Sequence, residues 1–204
     1  MREQSQERIV PRKTNDAYGV GTVILSPHRP GMVLAIEEKV QKSATGRETG
    51  QLSIPLEKEV EIDGKPEKTI DTIRASLAEV MDDSGIADVG KNFHLVSHGD
   101  LYVSSEVNLG VHVKPAVVLF DGDPDYEFFP TVTDEVGSSR WVHMEALTRP
   151  LAKEVVFLEY VRGELSAMPK KTEPLFPEDF SLEQLQKKRS QHPDRIYYTK
   201  ETDD

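Results

Sequence analysis

The chain has no cysteine among its 204 residues, which excludes disulfides and thiolate metal ligands and fits a reducing, cytoplasmic setting. No apolar run approaches the roughly 20 residues that a membrane-spanning helix needs, so no membrane partner is expected. The N-terminal stretch MREQSQERIVPRK lacks the apolar segment of a secretory signal. Positive charge is also short: 25 Lys and Arg stand against 36 Asp and Glu, a formal net charge of −11. A nucleic-acid backbone is therefore not the expected partner. A nucleotide-type small molecule remains compatible, provided metal ions or a local basic loop screen its phosphates. There is no Gly-x-Ser-x-Gly elbow, so a serine hydrolase is not supported. His94 and His98 are four apart in a strand-like segment, where they read as surface or core histidines rather than ligands.

What is present is a globular composition, 37% hydrophobic and 30% charged. Residues 1–16 mix charge with Pro11 and read as a flexible N-terminal arm. Residues 17–165 are long enough for one sizeable domain. Residues 166–204 carry Pro169, Pro174, Pro177 and Pro193 and read as a C-terminal extension, partly helical. Within it, Ser181 and Gln184 form a capping-box pattern that predicts a short helix from Leu182. Only Leu182 and Leu185 give that helix an apolar side, so it reads as an appendage.

In the domain, YGVGTVILS and MVLAIE are strand-like and flank the turn-rich SPHRPG, which predicts a hairpin. The polar loop from Lys39 to Gln51 concentrates Lys39, Lys42 and Arg47, either as a solvated surface loop or as a phosphate-contacting one. The run AVVLF near residue 118 suits a strand covered on both faces. RWVH, Arg140 to His143, reads as another strand, and Leu151, Val155 and Leu158 mark a helix ending near Gly163. Strands, helix, strands and helix in that order predict an α+β domain with a mixed sheet and helices packed on it.

In the stretch Gly64 to Ile86, Gly64 breaks the chain and a helix follows, with Pro66 near its first turn and a stop at Ser84 and Gly85. Ile70, Ile73, Leu77, Val80 and Met81 form its apolar stripe, and Glu79, Asp82 and Asp83 fall on the opposite face. Such acids repel by about 0.2–0.5 kcal/mol per i,i+4 pair, and near a helix C-terminus they oppose the dipole. No Lys or Arg lies between Arg74 and Lys91. A divalent cation would relieve this face, and so would plain solvation.

This stretch resembles the box of the Nudix hydrolase family, which reads Gly, five residues, Glu, seven residues, Arg-Glu, an aliphatic, any residue, Glu-Glu, any residue, Gly, aliphatic. By spacing, Gly64 takes the first Gly, Glu79 the Glu after the Arg, and Val80 the aliphatic. Asp82 and Asp83 take the Glu pair, and Gly85 and Ile86 close the box. Ile70 and Ala78 stand where the family has Glu and Arg. In a second register Pro55 is the family's proline, an insertion follows, and Gly64 belongs to a later step. Both registers agree on Glu79, Asp82, Asp83 and Gly85. SIP at Ser53–Pro55 and DEVGSSRWV at Asp134–Val142 are similar to flanking family segments.

The resemblance implies a Nudix-like α/β/α sandwich that hydrolyses a pyrophosphate bond in a nucleoside diphosphate derivative with Mg²⁺ or Mn²⁺. It implies Glu79 and Asp83 as principal metal ligands and catalytic groups, Asp82 assisting, and Glu135 as a further catalytic acid. Lys39, Lys42 and Arg47 are the substrate-binding candidates, and a homodimer is compatible with it. Each Asp is one methylene shorter than Glu, and the missing Glu and Arg would help hold the acids in place. The alternatives are a catalytically impaired Nudix-fold module that binds a nucleotide or a protein, and an acidic α+β binding domain with no phosphate chemistry.

Overall fold

A computed structural model describes residues 16–41, 47–104, 110–131, 133–158, 163 and 173–197. Strand β1 (Asp16–Leu25) is buried along nearly its whole length, as its β-branched and small residues require of a strand covered on both faces. It pairs in parallel with β9 (Val111–Phe120), from Ala17 opposite Val111 to Leu25 opposite Leu119. Beyond β9 lie β7 (Phe93–His98) and the short β11 (Glu173–Pro174), both in antiparallel pairings. The two-residue β8 (Val103–Ser104) also pairs with β9. The other edge of β1 takes β4 (Leu56–Lys58) and β12 (Ile196–Tyr197), both antiparallel. A second sheet centres β2 (Met32–Glu38) between β10 (Val136–His143) and β3 (Leu52–Ser53).

The expected α+β fold with a mixed sheet is the one observed, and helices cover it from both sides. Side chains alternate between two cores, as period-two strands demand. Val20 and Ile24 of β1, Leu34 and Ile36 of β2, and Val118 and Phe120 of β9 face one core. That core also holds Ile73, Leu77, Val80, Met81 and Ile86. Val23, Val33, Ala35 and Val117 face the other, against Leu151, Val155 and Val156 of α3 (Pro150–Phe157). Among the described residues no helix is long and apolar enough to cross a membrane.

Several local expectations are corrected. β1 and β2 do not form a hairpin; they belong to separate sheets. Ser26–Gly31 folds as two successive turns, closed by Arg29 N–H to Ser26 O and Met32 N–H to Arg29 O, and β1 takes β9 as neighbour instead. The long helix is two: α1 (Thr69–Ser76), a 3₁₀ turn over Leu77–Glu79, then α2 (Asp83–Val89). Asp82 is extended and caps α2, its Oδ1 accepting the Gly85 N–H at 2.8 Å. Asp and Ser compete with helical hydrogen bonds and favour such caps, so DDS opens a second helix that runs through Ser84 and Gly85, where a stop was expected. The apolar stripe is nonetheless the buried one, with Ile73, Leu77, Val80 and Met81 at 0% exposure.

Gly64 breaks the chain before the helix, as expected, but it does so in a strand turn. Asp63 and Gly64 have φ of 52° and 73° and form the two-residue turn between β5 (Glu61–Ile62) and β6 (Lys65–Pro66). Asp-Gly is the favoured sequence for that turn, and Pro66 lies in β6 instead of a helical first turn. Helix α3 ends at Phe157, because Leu158 is already extended at ψ 141°.

The capping box at Ser181 forms as read, with the side chain accepting the Gln184 N–H at 3.2 Å and opening α4 (Leu182–Arg189). The described part of the C-terminal segment shares the core instead of hanging from it. Leu175, Phe176 and Leu182 are buried against Phe93 and its neighbours, Leu175 N–H bonds Phe93 O at 2.7 Å, and β11 and β12 extend the larger sheet.

β1 and β4 approach closely at Gly19, where a Cβ would collide with the Glu57 carbonyl oxygen. Backbone cannot yield as a flexible side chain does. Gly19→Ala is expected to lower stability by about 1–3 kcal/mol in urea denaturation, with Gly31→Ala, at a site with open space around the Cβ position, as the control for a purely conformational cost.

Candidate functional site

Glu79 ends the 3₁₀ turn after α1, and only 6% of it is exposed. Its Oε2 accepts the Leu56 N–H at 2.9 Å, and its Oε1 lies 3.3 Å from Arg47 Nη2. The same guanidinium reaches two further acids. Nη1 donates to Glu135 Oε2 at 2.6 Å, and Nε lies 2.5 Å from Glu38 Oε2. The Nε contact is an ion pair without hydrogen-bond alignment, since neither atom gains a bonding partner from it. Glu38, at the end of β2, has a second cation in Arg149, whose Nη1 donates to Oε1 at 2.7 Å. Glu38 and Arg149 are both buried, whereas the Glu135 side chain is 39% exposed and marks the mouth of the cluster.

Three carboxyl groups thus face two guanidinium groups in a water-poor setting. Burial pushes the Glu79 carboxyl up to about 8, and the charges of Glu57 and Glu38 add to that, against the Leu56 N–H and Arg47. Burial also raises Glu38, opposed by Arg149 and Arg47. A proton on Glu79 leaves two cations against two carboxylates, the arrangement with least residual charge.

The other sequence candidates go elsewhere. Asp82 and Asp83 do not join Glu79 on one helical face. Asp82 caps α2, and Asp83 accepts the backbone N–H groups of Leu182 at 2.6 Å and Glu183 at 2.9 Å, so it caps α4. Both line a cavity of about 260 Å³ with Ser84, Thr131, Leu182, Glu183 and Gln186. Lys39 sits at the rim near Glu135: its N–H bonds Glu135 O at 2.8 Å and its Nζ donates to Thr133 O at 2.6 Å. Lys42 lies outside the described residues. Arg47, read as a phosphate contact, is buried among acids instead.

Sequence reasoning missed Glu38, Arg149 and the Leu56 N–H. Glu38 had a signal, an acid closing the apolar run of β2, and Arg149 directly precedes the proline that opens α3.

The residues in this arrangement do not fit a Mg²⁺ or Mn²⁺ ion. Among the described residues no three Asp, Glu or His side chains are grouped to hold a metal ion. The acids that do converge enclose a guanidinium, and Asp82 and Asp83 are engaged by backbone N–H groups.

Solved structures similar to this chain include a Nudix hydrolase from M. smegmatis, RenU, at 11% identity and TM-score 0.48, covering 78% of this chain and 90% of that one. A MutT Nudix hydrolase from Burkholderia pseudomallei is 17% identical with TM-score 0.37, over 75% of this chain and 98% of that one. A Nudix hydrolase from Nitrosomonas europaea is 10% identical with TM-score 0.42, over 76% and 73%. The likeness is one of fold. No family model matches the chain, and no curated protein does.

Because the folded Glu79 pKa of about 8 lies above the ordinary 4.5, the native state binds the extra proton between those values. Stability is then full at the low end of that window and falls as pH rises through it. Glu79→Gln is expected to flatten this slope in urea titrations between pH 5 and 8, leaving a residue from Glu38. Arg47→Met leaves Glu38 with a single cation and is expected to cost about 3 kcal/mol, read by the same denaturation at pH 7.

Proposed function

We propose that this chain is a Nudix-like binding module for a nucleoside diphosphate derivative, with Arg47 standing among the acids in place of a divalent cation. One observation carries this: a single buried guanidinium touches Glu38, Glu79 and Glu135 together. The two remaining box acids have structural work as helix caps, which accounts for them without metal chemistry. The nucleotide class rests on the sequence resemblance, and Lys39, exposed at the rim, is a cation that its phosphates could reach. A cytoplasmic setting fits a chain without cysteine.

A second reading is favoured by one fact. Glu79 and Glu135, distant in sequence, do converge on one point. In that reading the chain is a pyrophosphohydrolase using Mg²⁺ or Mn²⁺, with Glu79 and Asp83 as principal ligands, Asp82 assisting and Glu135 as the further acid. Arg47 and the α4 contact of Asp83 would then both have to move.

Calorimetric titration with dinucleotide polyphosphates and nucleoside diphosphate sugars, in EDTA and then with each metal, separates the two. Saturable binding in EDTA is expected, with no phosphate release and no metal-dependent rise in melting temperature. Lys39→Ala is expected to weaken that binding about tenfold, or about 1.4 kcal/mol. Metal-dependent turnover abolished by Glu79→Gln would establish the hydrolase instead.

A further inference from the structure

β4 is only three residues long, and its residues face two different places. Leu56 gives its N–H to Glu79. The next residue, Glu57, meets Arg189 Nη1 of α4 at 3.1 Å. The third, Lys58, gives its carbonyl oxygen to Arg189 Nη2, and its Nζ lies 2.8 Å from Asp194 Oδ2. The chain then continues into Glu59, whose fully buried carboxylate takes Arg195 Nη1 at 2.6 Å and whose carbonyl accepts the Arg195 N–H at 2.8 Å. Arg189 is shared further with Glu67, at 3.1 Å.

At its other end the same C-terminal segment rests on Asp83, which holds the first two N–H groups of α4. Little apolar surface assists, because within α4 only Leu182 and Arg189 are buried. A cavity of about 440 Å³ lies along this contact, lined by residues including Glu57, Gln186, Arg189, His192 and Asp194. A segment with so few buried apolar contacts is of the kind that opens locally before the core does.

We propose that residues 181–195 form an ionic strap whose docking is coupled, through the three residues of β4, to the site around Glu79 and Arg47. Undocking Arg189 removes the cation from Glu57, which keeps the Lys58 N–H, and the donor from the Lys58 carbonyl. β4 is then held by β1 on one edge only, and the adjacent Leu56 N–H loses its fixed aim at Glu79. By reciprocity, whatever alters the hold of Glu79 on Leu56 alters the docking of α4. The functional meaning of this coupling rests on Glu79 and Arg47 being the ligand site.

Native-state hydrogen exchange on the full chain tests it. In Arg189→Met, the α4 amides and the Leu56 amide are both expected to exchange at least tenfold faster, while Val117 and Val118 of the central β9 keep their rates. Glu79→Gln is expected to show the reverse transmission, faster exchange in α4. If Arg189→Met does not fold, Glu183→Pro serves in its place. It removes one N–H from Asp83, leaves every other acid and Arg47, Arg189 and Arg195 intact, and lies in the first helical turn, where no intrahelical hydrogen bond is lost. Faster α4 exchange with an unchanged Leu56 amide overturns the coupling, and so does acceleration that spreads equally into β9. A chain that shows the paired exchange but binds no nucleotide keeps the strap and loses the proposed function.

Discussion

A carboxylate taken out of water must be given a counter-charge, a set of N–H donors, or a proton. This strongly acidic protein meets that constraint repeatedly. Glu38 is held by Arg47 and Arg149, Glu59 by Arg195 with Tyr102, and Glu67 by Arg189. Asp83 is given backbone N–H groups, and Glu79, short of cations, is pushed toward keeping a proton. Each solution ties together chain segments far apart in sequence. Arg149 joins the start of α3 to the end of β2, and Arg195 joins the C-terminal strand to the segment after β4. The arginines therefore define which loops can move independently of the two apolar cores.

The fold was legible where it depended on periodicity. β1, β2, β9 and the buried stripe through Ile73, Leu77 and Met81 follow from local pattern, since alternation and 3.6-residue spacing report which face is buried. Pairing was not legible, because Ser26–Gly31 reads equally as a hairpin turn or as a corner between sheets. Choice of neighbour depends on β9, some 90 residues away. The split of the long helix has a local cause: Asp-Asp-Ser is a better cap than a helix interior.

At the site, Glu79 and Glu135 were legible as acids worth attention, and they do meet. Glu38 and Arg149 were not, since a buried pair joining residues 111 positions apart leaves no periodic trace. Arg47 was noticed for the opposite reason to the one the structure gives. In sequence it belongs to a basic loop open to phosphates; in space its charge is already consumed by three acids. Net charge on a loop says where cations are available only when the acids that will fold over it are known.

Asp82 and Asp83 pose the sharper problem, since the same two residues suit a metal-binding box and a pair of helix caps. The two roles compete for the same lone pairs. Asp83, half-buried, accepts two backbone N–H groups, from Leu182 and Glu183. Recruiting it to a cation would orphan these first-turn N–H groups of α4. For these two acids of this chain, what decides is whether the C-terminal segment leaves them free. Here Asp83 is engaged by α4, and Glu79 by Leu56 and Arg47. Any chemistry at these acids has first to displace parts of the protein that are holding them.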